Sequence, residues 1–237
     1  ANGDDALNGL DIQLFITLVG VDMEAPTPNP MTFDTLPTPN SGTPTTALDM
    51  VATLASDPTS PVQYAFEANT GPAYPGANGR DWSTWRLHSD TGLTPNTTYV
   101  YRVKARDGAT PPNETSSSAY ASAVTYALVP GAPILSNPTT MTMDVDVVPD
   151  ADAILDNPAW TEFAIHCKTT TDANWNGKFV SATGGPSAGA VWQTDGAWGV
   201  TVITGLQPGT SYQFEVKARN TNIIETAYGS AATLATP

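Results

Sequence analysis

The sequence predicts an all-β protein made of two repeated units with one additional strand ahead of them. A segment at 93–107 recurs at 206–220. Apolar residues alternate with period 2 through both copies, and no long segment carries helical periodicity. Pro (21) and Gly (19) punctuate the chain at the spacing expected of short strands and turns.

Residues 10–19 come first and read Leu-Asp-Ile-Gln-Leu-Phe-Ile-Thr-Leu-Val. Leu10, Ile12, Leu14, Ile16 and Leu18 share one face, and Asp11, Gln13 and Thr17 the other. This is the cleanest alternation in the chain, yet it lies outside both repeats. A Pro-rich stretch, Pro26 to Pro44, follows and contains a strand around Met31 to Thr35. Leu48, Met50, Ala52 and Leu54 then form an apolar face, and Tyr64 and Phe66 mark the next strand.

The repeat itself reads Leu-Thr-Pro-Asn-Thr-Thr-Tyr in the first copy and Leu-Gln-Pro-Gly-Thr-Ser-Tyr in the second. The offset is a constant 113 residues (206 − 93, and again 212 − 99). In each copy a Pro-Asn or Pro-Gly turn leads into a half-buried strand. Its inward residues are Tyr99, Tyr101, Val103 and Ala105, then Tyr212, Phe214, Val216 and Ala218. Arg102, Lys104 and Arg106 in the first copy, and Glu215, Lys217 and Arg219 in the second, are expected to face solvent. In the second unit Met141, Met143, Val145 and Val147 make one strand. Phe163, Ile165 and Cys167 lie on the inner face of another, and Val200, Val202 and Ile203 supply a third. Ser118 to Val129 and Ala227 to Thr236 supply each unit's last strand.

Leu-x-Pro-x-Thr-x-Tyr before an alternating strand resembles the E–F corner of the fibronectin type III fold, an immunoglobulin-like β-sandwich. The resemblance covers roughly residues 26 to 237. It implies a tandem of two sandwiches, of a divergent bacterial type. Tyr99 and Tyr212 would then be tyrosine corners, with Leu93 and Leu206 plugging the bottom of each core. The tryptophan usual in strand B is replaced by Met or Leu, so Trp82 and Trp192 are expected to close the cores instead. The divisions are 1–25 for the N-terminal extension, 26–129 for the first domain and 130–237 for the second. Val129-Pro130-Gly131-Ala132-Pro133 is too short a junction for free tumbling, so the sandwiches should stack as a semi-rigid rod.

Charge narrows the function. Lys+Arg is 9 against Asp+Glu 23, a formal net charge of −14. Such a surface repels phosphate backbones and anionic lipid, which argues against nucleic-acid or membrane partners. No stretch reaches the ~20 apolar residues of a membrane span. An Ala start followed by Asn-Gly-Asp-Asp is read as a terminus left by signal-peptide cleavage, so an extracellular or cell-surface location is expected. Cys167 is the one cysteine, which forbids an intrachain disulfide, and it should be a buried, inert thiol.

No recognisable nucleophile spacing surrounds the two histidines, His88 and His166, so the chain is not read as an enzyme. No cofactor is expected, with calcium left open at Asp150, Asp152 and Asp156, a set without the glycine and closing glutamate of a dedicated loop. Trp82 and Trp198 are candidate glycan contacts, although in a small β-sandwich tryptophans more often cap the core or line the domain interface. Asn96 and Asn113 stand in acceptor sequences for N-glycosylation.

The orphan strand carries the functional expectation. It either folds back on its own first domain or augments a neighbouring copy, as donor strands do. Burying its five aliphatic residues would yield ~7–15 kcal/mol before ordering costs. Both domains keep their last strand, so no missing-strand groove is expected. The chain is read as a structural subunit of a surface filament or layer, partnered by copies of itself. The alternative is a spacer or carbohydrate-binding module of a secreted polysaccharide-degrading enzyme.

Overall fold

The computed structural model describes residues 22–69, 77–149 and 155–237. The expected assembly strand, with Leu10, Ile12, Leu14, Ile16 and Leu18, lies outside the described residues, as do Asp150 and Asp152.

The first unit runs β1 (Phe33–Pro39), β2 (Ala47–Ala52), β3 (Gln63–Ala68), β4 (Arg80–Ser83), β5 (Leu87–Thr91), β6 (Thr98–Arg106) and β7 (Ala121–Val124). These form two antiparallel sheets, ordered β1-β2-β5 and β4-β3-β6-β7. The second unit runs β8 (Ile134–Ser136), β9 (Thr142–Asp146), β10 (Glu162–Thr170), β11 (Phe179–Val180), β12 (Pro186–Ser187) and β13 (Gln193–Thr194). One helical turn, α1 (Asp195–Trp198), leads to β14 (Thr201–Thr204), β15 (Ser211–Arg219) and β16 (Ala232–Ala235). Its sheets are β14-β9-β8 and β12-β11-β10-β15-β16, with β13 also on β10. Among the described residues no helix is long and apolar enough to cross a membrane.

Alternation decides which residues enter each core. Leu48, Met50 and Ala52 from β2 meet Tyr64 and Phe66 from β3, with Tyr99, Tyr101 and Val103 from β6, all buried. In the second unit Met143 and Val145 meet Phe163, Ile165 and Cys167, with Tyr212, Phe214 and Val216 from β15. The alternation overruns the strands at their ends: Leu54 and Met141 are 69% and 57% exposed, because each lies beyond the paired residues. Val200 and Val202 are also exposed, and β14 contributes Ile203 alone to the core.

The core tryptophans are not the expected pair. Trp175 is fully buried edge-on to Phe214 and donates its Nε1–H to the Thr204 carbonyl at 3.2 Å. Trp198 is buried at the end of α1, whose N-cap hydroxyl, Thr194 Oγ1, accepts from Ala197 N. Its Nε1–H donates to the Phe163 carbonyl at 2.9 Å, and at 4% exposure the ring offers no face to a glycan. Trp82 and Trp192 are half-buried on the outer faces and close neither core.

Each repeated tyrosine reaches back to the turn before it. Tyr99 Oη accepts from Thr94 N at 2.8 Å, and Tyr212 Oη from Gln207 N at 2.7 Å. Leu93 and Leu206 are buried beneath them, at 1% and 2% exposure. Tyr212 also donates to Asp172 Oδ2 at 2.8 Å, and Tyr101 donates to Asp90 Oδ2 at 2.7 Å. Burial first, then the hydrogen bond to Asp90, pushes the Tyr101 phenol well above its ordinary value. Burial pushes the Cys167 thiol up to about 12, with the nearby Asp172 carboxylate adding to it, which leaves the thiol protonated.

Candidate functional site

Three surfaces of this scaffold bring functional side chains together: the joint between the domains, the outer faces of the larger sheets, and the pole where the N-terminal segment attaches.

The joint centres on Asn96. It occupies the turn between β5 and β6 with φ +43°, a left-handed conformation that Asn tolerates better than most residues. Its Nδ2 donates to Thr161 Oγ1 at 2.9 Å, and its Oδ1 accepts from Thr221 N at 2.8 Å. Its carbonyl accepts the Trp160 indole N–H at 2.8 Å. Asn220 Nδ2 adds a bond to the Thr125 carbonyl at 3.2 Å. In the linker, Asn157 exchanges two bonds with the main chain of Leu128, at 2.8 and 3.0 Å. A rotation between the domains must break this set together. Asn96 is 1% exposed with both ends of its amide engaged, so it is corrected from glycosylation acceptor to interdomain link. Asn113 is engaged too: its Nδ2 donates to Asp107 Oδ2 at 2.6 Å and to the Asp22 carbonyl at 3.2 Å.

On the larger sheets, cations stack on aromatic rings. Arg106 and Lys104 lie 4.4 and 5.0 Å from the Trp82 ring centre. Arg219 and Lys217 lie 4.6 and 5.3 Å from that of Trp192. Acidic partners close the rows, Lys104 with Glu114 at 2.8 Å and Lys217 with Glu225 at 2.6 Å. The Trp82 ring, a candidate glycan contact, is thus engaged by its own domain's cations. These cations were expected to face solvent; they are half-buried under aromatic side chains, where cation–π contact is strengthened by partial desolvation. Glu215 departs furthest, at 5% exposure, bonded to His166 Nδ1 at 3.1 Å and Lys168 Nζ at 3.3 Å. His166 in turn stacks on Tyr228 and meets Phe179 at a tilt. His88 belongs to β5, and burial lowers its pKa while Nε2 contacts the Asn78 carbonyl at 3.0 Å.

At the opposite pole three carboxylates converge. Asp22, Asp57 and Asp107 each place an oxygen within 4.8 Å of the others. Asp156, the described member of the sequence-based calcium set, is exposed and belongs to no such group among the described residues. Desolvation raises the Asp57 pKa, and the Asp22 and Asp107 charges add to it. A carboxyl raised on folding favours the folded state while protonated, and that contribution is lost as pH rises through the raised pKa. Asp57→Asn is therefore expected to raise the unfolding temperature at pH 7, with the difference from the parent shrinking as the pH falls and Asp57 takes up its proton. Thermal unfolding followed across that pH range checks it; equal melting at both ends would refute the repulsion.

Fibronectin type III structures are among the solved structures that this chain is similar to. A two-domain fibronectin type III segment from chicken tenascin superposes with a TM-score of 0.51 at 14% identity, covering 90% of this chain and all of that one. The fibronectin type III domain of human fibronectin type III domain containing protein 3 covers 46% of this chain and 84% of its own, at 14% identity and a TM-score of 0.31. No family model matches the sequence, and no curated protein matches it. With its two sandwiches, its paired tyrosine turns and a superposition on the two-domain tenascin segment over 90% of its length, the chain has the fold of two fibronectin type III domains in tandem.

Proposed function

We propose that this chain is a non-catalytic, extracellular structural protein, one subunit of a surface filament or layer in which residues 10–19 of one copy pair with a sheet edge of the next. The observation that carries the reading is the Asn96 joint, which ties the two sandwiches into one strut. The N-terminal segment attaches at the far end of that strut. Asp22 lies beside Asp57 and Asp107, past the end of β6, whereas Asn96 precedes its start. A nine-residue strand separates the two ends, ~30 Å at the usual rise. A strut with an apolar strand at one end joins head to tail without closing on itself, which is the geometry of a filament.

Both last strands are in place, β7 on β6 and β16 on β15. The pairing therefore adds a strand to an edge rather than replacing a missing one. An acidic, Lys-poor surface keeps such a repetitive assembly soluble. Deleting residues 1–21 tests the reading. The full chain is expected to form fibres or sheets in electron micrographs and large species in light scattering, and the truncated chain to be monomeric. Assembly that survives the deletion, or a full chain that stays monomeric at high concentration, would overturn it. A spacer or carbohydrate-binding module of a polysaccharide-degrading enzyme would keep its solution behaviour after the same cut.

A further inference from the structure

The two domains treat one edge of their smaller sheets differently. In the second, β14 is a terminal strand, and Thr204 N donates to the Gly184 carbonyl at 3.0 Å across its outer side. Gly184 has φ +82° and sits so close that an added Cβ would lie 1.9 Å from the Val202 carbonyl oxygen. Only glycine allows that approach, and the turn it makes covers the edge. Residues 181–200, between β11 and β14, supply the turn.

In the first domain β5 is the equivalent terminal strand, but only residues 84–86 separate it from β4. That connection is too short to cover anything. The Arg86 carbonyl accepts from Ala52 N, so Arg86, His88 and Asp90 turn their main-chain groups toward β2. By antiparallel alternation Leu87, Ser89 and Thr91 turn theirs outward. Among the described residues no strand lies along that side. The Arg80 guanidinium instead reaches across to the carbonyls of Leu87 and Trp85 and holds the start of the edge in place. Around it Trp85 is 73% exposed and Leu87 50%. An open edge flanked by large apolar side chains is a template for strand addition.

We infer that this β5 edge is the acceptor for residues 10–19 of a neighbouring copy; the inference rests on the assembly reading above and names its receiving surface. Residues 1–21 supply the occupant: an alternating apolar sequence of sufficient length, carrying Asp4, Asp5 and Asp11 and no Lys or Arg. Arg80 is the cation that lies across the edge and meets that charge, while Arg86 turns back over β2 to the Ala52 carbonyl and Asp34. Asp22 is bound by Thr59 and Asn113, which flank β3 and β6 in the other sheet. Residue 22, from which the N-terminal segment continues, is thus held beside that sheet, across the pole from β5.

Disulfide trapping in the full chain tests this. The buried Cys167 thiol stays out of the reaction, so Ser89→Cys can be combined with a cysteine placed in turn at each of residues 11 to 17, which samples both faces and several registers. Thr91→Cys is the second edge probe, and thermal unfolding of each reduced variant should match the parent. Oxidation is expected to give a ladder of linked dimers and higher species on non-reducing gels in at least one register. A linked monomer would overturn the inference, because the chain would then cover its own edge. Absence of any cross-link from either probe would overturn it as well. If deletion of 1–21 abolishes assembly while no cross-link forms, the strand docks elsewhere and the assembly reading stands without this edge. If the deletion leaves assembly intact, the assembly reading itself falls.

Discussion

Trp175→Ala is expected to destabilise the second domain by ~3–5 kcal/mol, the range for removing a fully buried aromatic side chain. The indole is 0% exposed, meets Phe214 edge-on at 5.9 Å between ring centres, and donates to the Thr204 carbonyl. Alanine would leave a cavity beside Tyr212 and Phe214 and strip that carbonyl of its donor. Domains of this size have only ~5–15 kcal/mol to lose. Urea unfolding should therefore separate into two steps, the second domain melting first while the first domain keeps close to its parental midpoint. A loss below about 1 kcal/mol would show that the ring is not enclosed as described.

Asn96→Gly is expected to uncouple the domains. Glycine keeps the positive φ without strain, so the change isolates the side chain. Thr221 N loses its acceptor and Thr161 Oγ1 its donor, both at the joint. Two such bonds correspond to about 1–3 kcal/mol of interdomain coupling. Calorimetry should show the single parental transition broadening into two, and small-angle scattering should show a wider spread of maximum dimension. Unchanged scattering would mean that Asn157 and Asn220 hold the joint without Asn96. Asn96→Ala should cost more than Asn96→Gly, because its Cβ meets the left-handed backbone.

The parts of the fold legible in the sequence were those written locally. The turn-and-tyrosine pattern lies within seven residues, from Leu93 to Tyr99, and repeats at one offset, so the sandwiches and their corners could be placed by inspection. Cys167 was placed inside by its alternation with Phe163 and Ile165, and it is fully buried. Alternation alone could not rank the tryptophans. Trp175 and Trp198 lie outside the regular strands or in a single helical turn, where period-2 patterning carries no information, whereas Trp82 sits in a four-residue strand too short to reveal its face.

The joint was illegible for a different reason. Asn96-Thr97-Thr98 reads as an acceptor for a sugar because that motif is purely local. The partners that claim its amide are 65 and 125 positions away, and nothing in the intervening sequence marks them. The contrast between the β5 and β14 edges is similar. It arises from the lengths of two connections, 84–86 against 181–200, and their meaning emerges only when Gly184 is seen against Val202.

By itself, then, the sequence determined that the chain is all-β, that it is built twice, and which faces of its long strands point inward. These follow from period-2 alternation and turn chemistry, which act over a few residues. Tertiary structure alone decided that the two sandwiches are locked at Asn96, that the cation rows lie under aromatic side chains, and that one sheet edge is covered by a turn while no described strand lies along its counterpart. Those features depend on hydrogen bonds and close approaches between segments distant in sequence, and burial fixes them only once the sheets have packed.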